Sequence, residues 1–266
     1  MLNAENYPYL VIDDFNAHLF AAGGSLAGST GYKGWQRPGA PHVFQGKRPV
    51  GATIPRSQWH DRIKAGQGTF LSDLLKQKRI KAKDQNGRSL CWCYGSVRSV
   101  ETARALADLP TLDLSPESVA GPCTDWQDEG GYAGEAFGQL QNAGACESSF
   151  MDRPYSLSPT RWKSGWQANA KLHEAVVWAD IGTSFDEVIT CLLERVPVAA
   201  GLDWWGHLVC FLDPVILPDG SVGVLFQNSW GVDWPKPGAN GFATLTERKA
   251  TPDGAAAPLI VTASDL

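Results

Sequence analysis

The stretch Gln85-Asn86-Gly87-Arg88-Ser89-Leu90-Cys91-Trp92 decides how the rest of this chain is interpreted, because it sets a glutamine six residues before a cysteine that begins a predicted helix. Apolar residues recur from Cys91 at helical spacing, and Leu109-Pro110 ends the run. The unpaired N–H groups at a helix N-terminus favour an anion, so this position predicts a lowered pKa for the Cys91 thiol. Because only the thiolate attacks a carbonyl, Cys91 is the candidate nucleophile. The amide of Gln85 is the candidate donor to the oxygen that becomes negative during that attack.

A nucleophilic cysteine needs a base within hydrogen-bond reach, and a histidine can supply it. The chain has five histidines, at positions 18, 42, 60, 173 and 207. Only His207 begins a strand-like apolar run, which the pattern ends at Asp213-Pro214. His207 is therefore the candidate base.

A second apolar run, residues 222–228, follows the turn Pro218-Asp219-Gly220, so the two runs predict an antiparallel hairpin. Simple mirror pairing about the turn sets Asn228 opposite Cys210, roughly 10 Å along the strand from His207. A bulge, or a longer loop, must close that gap if Asn228 is to reach the histidine ring.

The order Gln85, Cys91, His207 and then Asn228-Ser229-Trp230 resembles the papain-like cysteine peptidases. The resemblance implies that Asn228 orients the imidazole and that Trp230 shields the hydrogen bond between them. It also implies that Gln85 and the backbone N–H of Cys91 together stabilise the oxyanion. The substrate implied is a polypeptide, and no cofactor is implied.

Other stretches between about residues 54 and 250 resemble further landmarks of the same family. They are Ile54-Pro55 with Trp59, Leu114-Ser115 with Glu117 and Cys123, Glu129-Gly130-Gly131-Tyr132, Pro154-Tyr155, the run 196–201, and Trp234. The resemblance implies that Gly130, Gly131 and Tyr132 bind an extended substrate beside the cleft, and that Leu208 narrows a substrate pocket. Any one landmark is weak evidence, but the ordered set is specific.

The fold implied is α+β, a papain-like arrangement of two lobes with the active-site cleft between them. Residues 54–155 are predicted to form a helical left lobe that carries Cys91. Residues 156–266 are predicted to form a β-rich right lobe that carries His207 and Asn228. Residues 1–53 are predicted to be a Gly/Pro-rich N-terminal arm.

Three departures from the family pattern affect the cleft. The family usually has a disulfide where this chain has Arg88 and Asp128. His207 lies 116 residues after Cys91, fewer than the ~130–150 typical of the family. The deficit falls between the strand 196–201 and His207, so we expect Trp204 and Trp205 to rebuild part of the cleft wall.

Composition indicates a globular chain without a membrane span. The chain has 266 residues, 43% of them hydrophobic, and a formal net charge of −5. No apolar run approaches the ~18 residues of a transmembrane helix, and no basic stripe favours nucleic acid. The pair Cys91 and Cys93 lacks a matching second pair for zinc, so no metal site is expected. The other cysteines are predicted to be buried thiols, with a Cys123–Cys146 disulfide as the alternative.

The amino terminus has no secretory signal pattern, so we expect a cytoplasmic or particle-associated protein. Residues 21–51 are rich in glycine and proline, which predicts an extended arm instead of a regular helix. Such an arm packs on its own domain or on an assembly partner, for instance in a phage particle. Trp35 and Phe44 within it argue against a plain flexible tail.

Three functions follow as hypotheses. The first is a thiol endopeptidase that forms an acyl-enzyme on Cys91, with His207 as base and acid. The second is a structural or binding component of a larger assembly, in which the same triad is idle. The third is a thiol amidase or transpeptidase that acts on cell-wall peptides.

Overall fold

A computed structural model describes residues 7–21, 34–36 and 52–261. The predicted arm therefore lies largely outside the described residues, and so does Phe44. Of the Gly/Pro-rich stretch, the structure describes residue 21 and the short segment Gly34-Trp35-Gln36.

The predicted helix at Cys91 is one of eight α-helices in the described residues. They are α1 (Trp59–Ala65), α2 (Leu71–Gln77), α3 (Cys91–Leu106), α4 (Pro116–Cys123), α5 (Ala133–Asn142), α6 (Trp166–Lys171), α7 (Phe185–Leu193) and α8 (Glu247–Ala250). The Oγ of Ser184 accepts the backbone N–H of Glu187 and so caps the start of α7.

Seven strands of the described residues form one sheet. They are β1 (Val11–Ile12), β2 (Ala175–Asp180), β3 (Val198–Leu202), β4 (His207–Ile216), β5 (Val222–Gln227), β6 (Phe242–Thr246) and β7 (Gly254–Val261). Their order across the sheet is β1-β6-β5-β4-β3-β7-β2. The strand that begins at His207 thus lies at the centre of the sheet, where its first residues pair with β3 and its later residues pair with β5.

The predicted hairpin exists, but strand β4 is longer than predicted. It continues through Pro214 to Ile216, although its pairing with β3 ends at Phe211. The proline is tolerated because a strand that has lost its neighbour on one side needs no backbone N–H on that side. Mirror pairing holds from Ile216↔Val222 back to Asp213, and a one-residue bulge then shifts the register to Phe211↔Phe226. The bulge carries Asn228 one residue closer to His207, as the sequence required.

Helix α3 packs directly on strand β4. A Cβ on Gly95 would lie 2.3 Å from Leu208 Cδ2, so only glycine allows this approach. The charges on the helix are buried in pairs. Glu101 accepts the backbone N–H of Leu114 at 2.9 Å, and its carboxylate lies 2.9 Å from Arg98 and 3.0 Å from Lys83. The close approach of Gly95 to Leu208 holds the start of α3 against the start of β4.

The N-terminal residues 7–21 pack on the β-rich part of the same chain. Strand β1 pairs in parallel with β6, through Val11↔Thr244 and Ile12↔Leu245. Phe20 is almost fully buried, and its ring meets those of Trp205 and Trp234 edge-on. This segment therefore buttresses the aromatic residues behind His207.

Candidate active site

His207 and Asn228 are joined by a hydrogen bond that fixes the imidazole tautomer. His207 Nε2 lies 2.7 Å from Asn228 Oδ1, and the same oxygen accepts the backbone N–H of Ser229 at 2.8 Å. A backbone N–H can only donate, so the atom it meets must be the amide oxygen and Nε2 must carry the ring proton. In the neutral ring, Nδ1 then holds the free electron pair. Nδ1 has no hydrogen-bond partner among the described residues, so its pair is available to take a proton.

Aromatic rings enclose the His207 imidazole on two sides. The ring centroid of Trp230 lies 4.8 Å from that of His207, and the centroid of Trp205 lies 5.0 Å away. Trp234 packs edge-on against Trp230 and completes the cluster. Burial lowers the pKa of His207 to about 4, although the hydrogen bond to Asn228 opposes this effect. The imidazole is therefore neutral at pH 7 in this state.

Cys91 is the first residue of α3, as predicted, but its thiol is fully buried. Burial raises its pKa to about 12, while the backbone N–H groups of Leu208 and Gly34 oppose the rise. The prediction of a lowered pKa is therefore wrong for this state, because desolvation outweighs the helix terminus. The same contact places the thiol at the backbone of the residue that directly follows His207. No hydrogen bond joins the sulfur to His207 Nδ1.

Gln85 is held between the loop before α3 and the Asn228-Ser229-Trp230 stretch. Its Oε1 accepts from Ser229 Oγ at 2.6 Å, and its Nε2 donates to the carbonyl of Arg88 at 2.6 Å. Its backbone N–H donates to the carbonyl of Ser229 at 2.8 Å. The amide is thus fixed with its oxygen toward Ser229, and its second N–H remains for another acceptor.

The cleft beside Cys91 contains a segment of the chain itself, Gly34-Trp35-Gln36. Gly131 donates its N–H to the carbonyl of Gly34 at 2.8 Å and accepts the N–H of Gln36 at 2.9 Å, which forms a parallel bridge. The N–H of Trp35 also approaches the carbonyl of Gly206, at 3.4 Å. These three residues are called the cleft segment below. Gly131 thus pairs with an extended strand, which is the backbone role predicted for it toward a substrate.

Gly34 covers the candidate nucleophile. A Cβ at this position would lie 2.0 Å from the carbonyl oxygen of Ser89 and 3.0 Å from the backbone nitrogen of Cys91, so only glycine can pass here. The carbonyl of Gly34 accepts the N–H of Gly131. The cleft segment thus lies over the backbone at Cys91, whose thiol is fully buried.

The remaining predicted binding residues lie at different depths. A Cβ at Gly130 would meet the Gly34 carbonyl oxygen at 2.7 Å, so its lack of a side chain leaves room in the cleft. Tyr132 is half-buried and precedes α5 as its N-cap. Leu208 is fully buried in the apolar core against Gly95.

The described residues contain no cluster of three or more histidine, cysteine or acidic side chains that could hold a metal ion. All six cysteines lie within the described residues and are free thiols, so the alternative of a Cys123–Cys146 disulfide is not realised. No helix in the described part of the chain is long and apolar enough to cross a membrane.

Comparison with solved structures identifies the fold. Procathepsin L2 from the larval midgut of Tenebrio molitor superposes with a TM-score of 0.61 at 16% sequence identity, over 86% of this chain and 78% of that one. The chain has a papain-like fold. Procathepsin L 3 of the same insect gives a TM-score of 0.56 at 18% identity, over 68% of this chain and 66% of its own length. The cysteine protease and lectin-like domains of Cwp84, a surface layer associated protein of Clostridium difficile, give 0.58 at 15% identity, over 72% of this chain and 52% of theirs.

At these identities the likeness extends to the papain-like fold alone. No family model matches the sequence, and no curated protein matches it either. The predicted α+β architecture is confirmed. The division into lobes at residue 155 stays a prediction.

Arg88 and Asp128 form an ion pair at the two positions where papain-like peptidases usually have a disulfide. Arg88 Nη1 lies 3.5 Å from Asp128 Oδ2, and Asp128 Oδ1 accepts the backbone N–H of Ser89 at 2.7 Å. The loop before Cys91 is therefore tied to the segment between α4 and α5 by charge and a hydrogen bond.

Sequence reasoning missed the cleft segment and the groups that hold it. Trp35 is only 7% exposed, and its indole N–H donates to Asp203 Oδ1 at 2.7 Å. The one signal available was a tryptophan within a glycine-rich stretch, which does not reveal its partner 168 residues away. Ser229 was predicted only as part of a motif, although its N–H sets the tautomer of His207.

Proposed function

We propose that this chain is a thiol peptidase that hydrolyses polypeptides through an acyl-enzyme on Cys91, with His207 as base and acid. The observation that carries the proposal is the tautomer of His207. A ring whose Nε2 proton is held by Asn228 offers Nδ1 as the base, on the strand that packs against the helix of Cys91. Such a held tautomer is what nucleophilic catalysis by a Cys–His pair requires.

The reaction proceeds in two stages. The Cys91 proton passes to His207 Nδ1 and the sulfur attacks the carbonyl carbon, while Gln85 Nε2 and the Cys91 backbone N–H donate to the oxyanion. The tetrahedral intermediate then expels the amine, which takes the proton from His207. Water next attacks the thioester with His207 as base, which releases the acid and restores the thiol. Trp230 shields the bond between His207 and Asn228 throughout.

The cleft segment makes the described state a latent one in this proposal. It covers Cys91, and burial favours the neutral thiol and the neutral imidazole in this state. Departure of Gly34 admits water and substrate, lowers the desolvation cost of the thiolate, and lets the Cys–His ion pair form.

A peptidyl electrophile tests the proposal in the full-length chain. We expect slow labelling of the parent protein and at least tenfold faster labelling of Trp35→Ala, in which the cleft segment has lost its anchor. Cys91→Ala should abolish the labelling. Cys93→Ala should not, and it is the matched control because Cys93 is a fully buried thiol on the same helix. Faster labelling must be accompanied by peptide hydrolysis.

A second candidate function, a binding module with an idle triad, is favoured by one observation. Cys91 has no exposed surface and its pKa is raised to about 12. If Trp35→Ala folds but is neither labelled at Cys91 nor hydrolytic, the binding module replaces the peptidase. Transfer of the acyl group to an amine, as in a cell-wall transpeptidase, and an assembly partner for the arm stay predictions.

A further inference from the structure

The indole of Trp35 fills a slot whose walls are shaped for it. Gly201 on β3 and Gly254 on β7 face each other across neighbouring strands, so the sheet has no side chain at two adjoining points. A Cβ on Gly201 would lie 2.4 Å from three ring atoms of Trp35, and one on Gly254 would lie 3.0 Å from the far edge of the ring. The ring therefore lies directly on the sheet backbone.

The rim of the slot contains one acceptor for the indole N–H. Asp203 Oδ1 accepts from Trp35 Nε1 at 2.7 Å, which is a charge-assisted hydrogen bond. The Asp203 backbone N–H in turn donates to Asp253 Oδ2 at 2.7 Å, which fixes the start of the loop after β3. An indole is the aromatic side chain whose N–H can only donate, so it suits a carboxylate.

The slot belongs to the cleft, because the backbone that carries the indole is paired to Gly131 and passes over Cys91. Any extended polypeptide that pairs with Gly131 in the same way presents its next side chain to the same place. The position is therefore defined by the cleft and does not depend on the arm being its occupant.

We propose that Gly201, Gly254 and Asp203 form a specificity subsite for a tryptophan side chain of a polypeptide substrate, which Trp35 of the same chain occupies in the latent state. This inference rests on the proposed function only in that it describes the bound polypeptide as a substrate. The binding that it predicts needs no catalysis. Glycines at 201 and 254 admit the flat ring. Asp203 distinguishes an indole from a phenyl ring or an aliphatic side chain.

Binding to the full-length double variant Cys91→Ala/Trp35→Ala tests the subsite separately from the chemistry. Fluorescence anisotropy would compare dye-labelled acetyl-Gly-Xaa-Gln-amide peptides in which Xaa is Trp, Phe, Leu or Arg. We expect the Trp peptide to bind about tenfold more tightly than the Phe peptide, since Asp203 is exposed and solvent replaces part of the lost bond. The single variant Cys91→Ala, whose slot is filled by Trp35, should bind the Trp peptide at least tenfold more weakly.

Two further variants separate the acceptor from the slot. In the double-variant background, Asp203→Ala should reduce the preference for Trp over Phe to less than threefold while leaving Phe binding unchanged. Gly201→Ala should weaken both aromatic peptides at least tenfold, because the new Cβ occupies the ring position. Trp35→Leu replaces Trp35→Ala if the latter does not fold.

The possible outcomes distinguish the subsite from the peptidase activity. Equal affinities for Trp, Phe and Leu, or tighter binding of Arg than of Trp, overturn the subsite. Electrophile labelling of Cys91 without Trp selection leaves the peptidase standing and removes the subsite. Selective Trp binding without labelling leaves the subsite standing in a binding module.

Discussion

Acid should destabilise this protein through His207, and the size of the effect follows from its burial. The pKa of His207 falls from its ordinary value of 6.5 to about 4 in the folded chain, chiefly because burial disfavours the imidazolium. The unfolded chain therefore binds a proton first as the pH falls. The free energy of unfolding contributed by neutral His207 is fully present above about pH 6.5 and is lost progressively toward pH 4. At about 1.4 kcal/mol for each tenfold difference in proton affinity, the loss is roughly 3 kcal/mol.

Urea unfolding at a series of pH values measures this loss. His207→Gln removes the titration and keeps an N–H for Asn228, so the parent chain should lose about 3 kcal/mol more than the variant between pH 7 and pH 4. Parallel curves for the parent and His207→Gln would refute the burial argument.

Six other substitutions test separate parts of the site and its support. Gln85→Ala should slow acylation by about two to three orders of magnitude, because an oxyanion donor is lost. Electrophile kinetics measure the acylation rate. An equal loss of rate in Ser229→Ala would show that Gln85 has only a positioning role. Arg88→Ala should cost less than about 1 kcal/mol, because the ion pair is partly exposed. Asp128→Ala should lower the free energy of unfolding by more, about 1–2 kcal/mol, since it also leaves a backbone N–H without its acceptor. Urea unfolding that shows a larger loss for Arg88→Ala than for Asp128→Ala would contradict this. Asp213→Ala should cost about 2–3 kcal/mol because both its oxygens accept N–H groups at the start of α2, whereas Asp213→Asn keeps one acceptor and should cost clearly less in the same assay.

Local patterns were sufficient for the helices and strands that carry the site. Periodicity placed the start of α3 at Cys91. The hairpin was also predictable, and geometry alone required an irregularity between its strands. The pattern did not place the bulge next to Phe211 or extend β4 past Pro214, since both depend on where the neighbouring strand ends.

The state of the candidate site depended on contacts that no local pattern encodes. The pKa of Cys91 was predicted from its helix position, yet burial of the thiol in the folded chain reverses the direction of the shift by removing water. Trp35 lies in a slot formed by glycines far away in sequence. No local sequence pattern marks these glycines as part of a slot. Pairings over such separations are decided by tertiary packing.

The tie between Arg88 and Asp128 has a consequence for the conditions under which the site can operate. A disulfide at this place would be open to reduction by the same thiol reagents that keep a cysteine nucleophile from oxidising. An ion pair is indifferent to reductants and responds to ionic strength instead. The chain can therefore hold a reduced Cys91 and an anchored loop in the same redox environment.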